Sequence, residues 1–199
     1  MKKLLLSTFV MVLALYSYGQ GIIGGVKGGM NFADQKYTSD GFSAATKVRP
    51  GIHLGVYALY MINEQFGIQP ELLFAMQGSR WEIGGDGKFK FNYINLPILV
   101  RYNITEMISI HLGPQFGFLL SAEVEEDGDT EDIKDLIKGM DIGAATGAEY
   151  ELPNGLGFGA RFVLGFSNIA DPEDPDDDVE LKNRTFQLYV KYILLGKKK

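Results

Sequence analysis

The sequence predicts an all-β fold, a single eight-stranded antiparallel transmembrane β-barrel. Three observations predict it. Segments of about ten residues alternate in hydrophobicity, the connections between them alternate in length, and the N-terminal stretch has the form of an export signal.

At 199 residues the chain has the size of one domain, and 46% apolar residues, 12% aromatics and 25 glycines suit short strands and tight turns. Cysteine is absent. That excludes disulfides, thiolate metal ligands, a cysteine nucleophile and a lipid-anchored cysteine. A net charge of −6 leaves no basic patch to neutralise phosphates and argues against a nucleic-acid partner.

Residues 1–19 are expected to be a signal peptide: Lys2 and Lys3 form the positive region, residues 4–16 the apolar region, and Ser17-Tyr18-Gly19 the small residues before cleavage. The alternative is a membrane anchor. An apolar run of about 13 residues falls short of the roughly 20 a spanning helix needs. Residues 20–199 are then the barrel domain, and loss of two lysines takes the net charge from −6 to −8.

Eight strands are expected. The first, about 21–33, places Ile22, Val26, Met30 and Phe32 opposite Lys27 and Asn31. The second, about 50–60, places Ile52, Leu54, Val56, Ala58 and Tyr60 opposite His53, Gly55 and Tyr57. The third, about 65–78, sets Phe66, Ile68, Leu72, Phe74 and Met76 against Gln69, Glu71 and Gln77, with a bulge or local irregularity expected at Pro70. The fourth, about 88–103, changes parity: Phe89, Phe91 and Tyr93 share one face, then Ile94, Leu96, Ile98, Val100 and Tyr102 the other. A bulge near Tyr93, or a first half standing above the membrane, reconciles the two.

The fifth, about 107–121, sets Ile108, Ile110, Leu112, Phe116, Phe118 and Leu120 against Ser109, His111, Gln115 and Ser121. The sixth, about 139–151, sets Met140, Ile142, Ala144, Ala148 and Tyr150 against Asp141, Gly143, Gly147 and Glu149. In the seventh, about 156–168, Leu156, Phe158, Ala160, Phe162, Leu164 and Phe166 alternate with Gly157, Gly159, Arg161, Gly165 and Ser167. The eighth, about 184–195, places Phe186, Leu188, Val190, Tyr192 and Leu194 opposite Gln187, Tyr189 and Lys191.

Residues 61–64, 103–106 and 152–155 form tight turns, whereas 34–49, 79–87, 122–138 and 169–183 are long and polar. Both termini then lie on the short-turn side, which in a Gram-negative outer membrane is the periplasm.

A soluble barrel also alternates, but its apolar face points inward. Here the apolar parity is bulky and aromatic, the match for a lipid-facing band. The other parity carries Lys27, Arg101, Arg161 and Lys191 against Glu71, Asp141 and Glu149. Their near balance predicts a paired polar network filling the lumen of a barrel about wide enough for side chains.

Val26-Lys27-Gly28-Gly29-Met30-Asn31-Phe32, Gln69-Pro70-Glu71-Leu72-Leu73-Phe74, Tyr93-Ile94-Asn95-Leu96-Pro97-Ile98, Gly113-Pro114-Gln115-Phe116-Gly117-Phe118-Leu119 and Gly147-Ala148-Glu149-Tyr150 stand in order along the chain. With these stretches the chain resembles the porin family, or PorT-like outer-membrane β-barrel proteins, of Bacteroidetes-type bacteria. The resemblance covers residues 20–199 and implies an OmpA-like barrel in the outer membrane, with one branch tied to secretion and gliding machinery. It implies no particular activity. One departure is that Gly196-Lys197-Lys198-Lys199 follows Leu195, so Tyr192 stands as the terminal aromatic.

The acidic stretches 122–138 and 169–183 offer carboxylates of the kind that hold Ca²⁺ or Mg²⁺, with Asp127, Asp129, Asp174, Asp176, Asp177 and Asp178 as candidates. Solvated loops are the plainer reading, and Asp127-Gly128-Asp129 lacks calcium-loop spacing. Residues 131–138 suggest two helical turns with Ile133, Leu136 and Ile137 on one face, placed to cap the barrel mouth or meet a partner. His53 and His111 point into the lumen without a nucleophile at diagnostic spacing. Gly155-Leu156-Gly157-Phe158-Gly159 continues as a strand rather than a helix, which argues against nucleotide binding.

The expected role is a structural or interaction protein with outer-membrane lipid, the assembly machinery and an extracellular or periplasmic protein as partners. No cofactor and no catalytic residue are expected. A narrow channel and an outer-membrane enzyme are the alternatives.

Overall fold

The structure, a computed structural model, describes residues 22–39, 42–81, 87–126, 128–171 and 179–196, so the expected signal peptide at 1–19 lies outside the described residues. Among the described residues ten strands follow one another: β1 (Ile22–Ser39), β2 (Phe42–Ala45), β3 (Lys47–Met61), β4 (Phe66–Trp81), β5 (Gly87–Asn103), β6 (Ile108–Glu126), β7 (Asp129–Asp132), β8 (Met140–Glu151), β9 (Leu156–Gly165) and β10 (Val179–Leu195). Eight of them, β1, β3, β4, β5, β6, β8, β9 and β10, form a meander in which every neighbour is antiparallel. Pairing of β1 with β10, from Gly24↔Leu195 to Ser39↔Val179, closes the ring. Closure leaves the eight-strand ring without an edge, and in hydrocarbon each unpaired N–H or C=O costs several kcal/mol. The short β2 and β7 pair with β1 and β6 and lengthen two hairpins at the loop end.

The three short turns stabilise themselves through side chains. Asn63 Oδ1 accepts the N–H groups of Gln65 (2.9 Å) and Phe66 (2.7 Å), and Thr105 Oγ1 accepts those of Met107 (3.2 Å) and Ile108 (2.9 Å). Asn154 Oδ1 accepts the N–H of Leu156 (3.1 Å), beside Gly155 at φ +85°. These turns share a rim with the start of β1 and the end of β10.

Burial is inverted relative to a water-soluble domain. Leu54 is 64% exposed, whereas Arg101 and Arg161 are each 1% exposed. The outer wall is a band of aliphatic and aromatic side chains, which only lipid can cover. Near the short-turn ends of their strands, Tyr60, Phe66, Tyr102, Tyr150 and Tyr192 form a partial girdle, with the Phe66 and Tyr102 rings 4.9 Å apart.

The structure refines or departs from the sequence expectations at five places. First, the strands run beyond their expected ends into 34–49, 79–87, 122–138 and 169–183, where alternating polar residues continue the ladder above the apolar band. Second, the irregularity at Pro70 is a gap in the pairing rather than a bulge, the β4–β5 pairs passing from Pro70↔Ile98 to Leu73↔Asn95. β4 keeps one register against β5 from Phe66↔Tyr102 to Trp81↔Gly87, because a proline removes one donor without adding a residue. The β3–β4 register shifts instead between Val48 and His53, around Pro50 and Gly51.

Third, the two faces expected of β5 are both found, with its first half above the apolar band, but no residue is inserted in β5 itself. Its register with β6 does shift between Asn92 and Tyr93, but the extra residue is on β6, where inward parity passes from Leu119 to Ala122. Phe91 and Tyr93 therefore point inward with Asn95, Leu99 and Arg101. Fourth, β9 ends at Gly165, short of the expected 168. Fifth, residues 131–138 are not two helical turns. Residues 129–132 pair as β7, which leaves only the 3₁₀ turn Lys134–Leu136.

Candidate functional site

The inward side chains form layers along the barrel axis. Toward the short turns, Arg161 grips Glu71 with both guanidinium nitrogens, Nη1 to Oε2 at 2.7 Å and Nη2 to Oε1 at 2.8 Å. Lys27 Nζ donates to the same carboxylate at 3.0 and 3.2 Å and lies 3.8 Å from Glu149. Glu149 also accepts from Arg101 (2.7 Å), Lys191 (2.6 Å) and the Tyr189 hydroxyl (2.8 Å). Lys191 and Arg101 reach on to Glu151 at 2.8 and 3.5 Å.

Four cations and three carboxylates, all buried, thus form one continuous cluster. Desolvating so many charges is costly, and the pairing recovers that cost only because nearly every lone pair and donor is used. Neutral neighbours complete it. Gln69 donates to Glu71 (2.7 Å) and accepts from Arg101 (3.2 Å), and Arg161 Nε lies 3.1 Å from His111 Nε2.

Tyr189 is the wall of this chamber. Lys27 Nζ lies 3.6 Å from its ring centroid, and the ring packs on Gly159, where an added Cβ would stand 2.3 Å from Tyr189 Cζ. The lumen-facing glycines of β9 make room for the large polar side chains opposite.

Above the ionic cluster lies a layer of amides. Asn31 links the His53 ring (2.8 Å) and Gln187 (3.0 Å), while Gln35 donates to Asn183 (3.0 Å) and accepts from Ser79 (2.7 Å). Asp141, expected in the lumen network, belongs to this upper region. It faces inward but accepts from Ser167 (2.8 Å) and Asn183 (2.9 Å), because alternation sets a residue's face and not its height. Of the seven residues predicted to share a network, Lys27, Glu71, Arg101, Glu149, Arg161 and Lys191 meet in one cluster. Glu151 was missed because it ends its strand beside a turn, although it has the same parity as Glu149.

At the loop end the lumen becomes apolar. Phe91, Tyr93, Leu119, Ala122, Ile137, Ile169, Ala170 and Leu181 form one buried cluster, with Phe89, Ile133 and Val179 against it. Two loops cross to build it. Ile137 bridges Ala170, Lys138 N–H donates to Ile169 O (2.8 Å) and Asp171 N–H to Leu136 O (2.9 Å). Of the three side chains expected to cap the mouth or meet a partner, Ile133 and Ile137 face this cluster and Leu136 is exposed.

His53 and His111 both lie buried in the lumen, against Asn31 and Arg161. Among the described residues no group of three or more His, Asp or Glu is placed to hold a metal ion. Of the cation candidates, Asp129 is exposed at the start of β7, and 127, 174 and 176–178 lie outside the described residues.

Solved structures show the same fold. Neisserial surface protein A is 15% identical, with 88% of this chain and 100% of that one covered and a TM-score of 0.58. Ail, the attachment invasion locus protein of Yersinia pestis, is 18% identical over 88% of this chain and 100% of that one, with a TM-score of 0.52. No curated protein matches the sequence. The family described as outer membrane protein beta-barrel domain matches residues 20–171. By its closed ring, its lipid-facing wall and that match over most of its length, the chain belongs to the outer membrane protein β-barrel domain family of the Gram-negative outer membrane.

Proposed function

We propose that the chain is a closed, non-conducting barrel that serves as a structural or interaction module and presents its loop end as the working surface. The observation that carries this reading is the filling of the lumen at two levels: the ionic cluster around Glu71 and Glu149, and the apolar cluster sealed by the Ile137↔Ala170 bridge. A steady ion path would have to break both. The long loops belong outside and the termini in the periplasm, in keeping with the short-turn rim on which both ends of the ring lie. Residues 1–19 would be removed on export, and the outer-membrane assembly machinery would insert the barrel. The shared stretches noted above favour a PorT-like protein of Bacteroidetes-type bacteria, and an extracellular or periplasmic protein is the expected partner.

Planar-bilayer recording of the refolded chain tests this reading. The expected result is no steady conductance. Stable channels of uniform size would favour the narrow-pore alternative.

A further inference from the structure

The chain contains seven methionines, two of them within residues 1–19. Three of the others are exposed to similar degrees, Met30 at 49%, Met107 at 42% and Met140 at 42%, but they do not meet the same solvent. Met30 stands on the outer wall between its partners Ile52 of β3 and Leu188 of β10. Met140 is level with Phe118 of β6, and Leu120, further toward the loops, still belongs to the lipid-facing wall. Hydrocarbon covers both. Met61 and Met76 are half-buried, and the Met61 sulfur packs over Gly67, where an added Cβ would stand 2.9 Å from it.

Met107 lies elsewhere. It ends the short turn 104–107, one position before β6 begins at Ile108, and Ile108 pairs with Tyr150 of the aromatic girdle. The turn is the water side of that girdle, so the sulfur sits where the hydrocarbon band ends. Three hydrogen bonds fix the residue. Thr105 Oγ1 accepts its N–H at 3.2 Å, its carbonyl oxygen accepts the Glu151 N–H at 2.8 Å, and its Sδ accepts the Tyr150 hydroxyl at 3.4 Å.

A thioether is a weak acceptor, but it is also a nucleophile whose two-electron oxidation gives a sulfoxide with a polar acceptor oxygen. With hydrogen peroxide the step balances. A sulfur lone pair attacks one peroxide oxygen, the O–O bond breaks as the S–O bond forms, and the displaced hydroxide takes the proton of the transferred oxygen and leaves as water. Sulfur loses two electrons and the peroxide gains them. On the lipid-facing wall the product would be a polar group without a partner, a costly state for Met30 and Met140. At Met107 the Tyr150 hydroxyl already points at the sulfur and can close on the new oxygen at the ordinary O–H···O distance of about 2.7–2.8 Å.

We propose that Met107 is an oxidative modification site, where peroxide converts the thioether to a sulfoxide that the Tyr150 hydroxyl then holds. The rim takes up oxidant in this way without disturbing the ladder or the ionic cluster, and a methionine sulfoxide reductase restores the thioether. The site is independent of whether the lumen conducts.

The folded chain in lipid nanodiscs, with both rims open to water, is treated with hydrogen peroxide, and peptide mass spectrometry follows each methionine in time. The expected result is conversion of Met107 at least tenfold faster than of Met30 and Met140. Equal rates at the three positions overturn the site. The part played by Tyr150 is read from the thermal midpoint before and after oxidation. Oxidation should raise the midpoint of the parent relative to that of Tyr150→Phe treated in the same way, and should leave that of Met107→Leu unchanged. Equal shifts in the parent and Tyr150→Phe overturn the hydrogen-bonded sulfoxide. The rates are measured on the parent alone, so they decide the site even if Tyr150→Phe fails to fold.

Discussion

The two ends of the lumen solve the same filling problem with opposite chemistry. Toward the short turns, seven buried charges form the packing material. Toward the loops, aromatic and aliphatic side chains do so. The ionic end sits inside the hydrocarbon-embedded ring, where every backbone group is held by the ladder and the charges have no exit to water. The apolar end is built partly from loops, which need a hydrophobic reason to fold inward over the mouth. An ionic plug is an all-or-none structure, since loss of one member strands the others. An apolar plug loses stability in proportion to what is removed.

Breaking the ionic end should have the largest effect. Glu149→Ala removes the carboxylate shared by Arg101, Lys191 and Tyr189, and the expected loss is about 3–5 kcal/mol in equilibrium unfolding from lipid vesicles. Simultaneous Lys27→Met, Glu71→Leu and Arg161→Met should cost less than Glu71→Ala alone, because no charge is then stranded. If the triple variant proves worse, pairing itself stabilises the barrel and the contrast between the two ends narrows.

At the apolar end, Ile169→Ala, at a fully buried position, should cost about 2–3 kcal/mol. Its amide-exchange signature should be confined to the loops that meet at the Ile137↔Ala170 bridge, with the barrel ladder still protected. Uniform loss of protection would mean that the cap and the ring fold as one unit.

Gly159→Ala sharpens the ionic side by a smaller amount. The new methyl meets the Tyr189 ring, and displacement of that ring should cost about 1–3 kcal/mol. Restoration of stability by Tyr189→Phe would assign the cost to the methyl meeting the hydroxyl, since a lost bond to Glu149 would not be regained. The smallest effect belongs to the half-buried pair Arg184 and Asp34, where Arg184→Gln should change stability by less than about 1 kcal/mol. A loss there matching that of Glu149→Ala would show that burial does not separate these ion pairs.

The sequence made the side-chain faces legible and the heights illegible. Period-two alternation assigned Lys27, Glu71, Arg101, Glu149, Arg161 and Lys191 to one face, and the ring brings all six together. The same rule grouped Asp141 with them, although it sits among Ser167 and Asn183. Phe91 and Tyr93 stand on the face opposite Ile94 and Leu96, as the alternation requires, because aromatic residues serve lipid in the band and a buried core above it. The strand extensions were invisible for a related reason, as polar residues on both faces of a ladder in water resemble a loop.

Because the chain has no cysteine, single thiols test directly whether lipid lies outside and a closed plug inside. Leu54→Cys and Ala145→Cys, at an outward and a fully buried inward position, are placed in vesicles and exposed to a charged methanethiosulfonate reagent and to a lipid-soluble maleimide. The account predicts that Leu54→Cys reacts with the maleimide alone and Ala145→Cys with neither. Rapid reaction of Ala145→Cys with the charged reagent would contradict it, since water would then fill the tube.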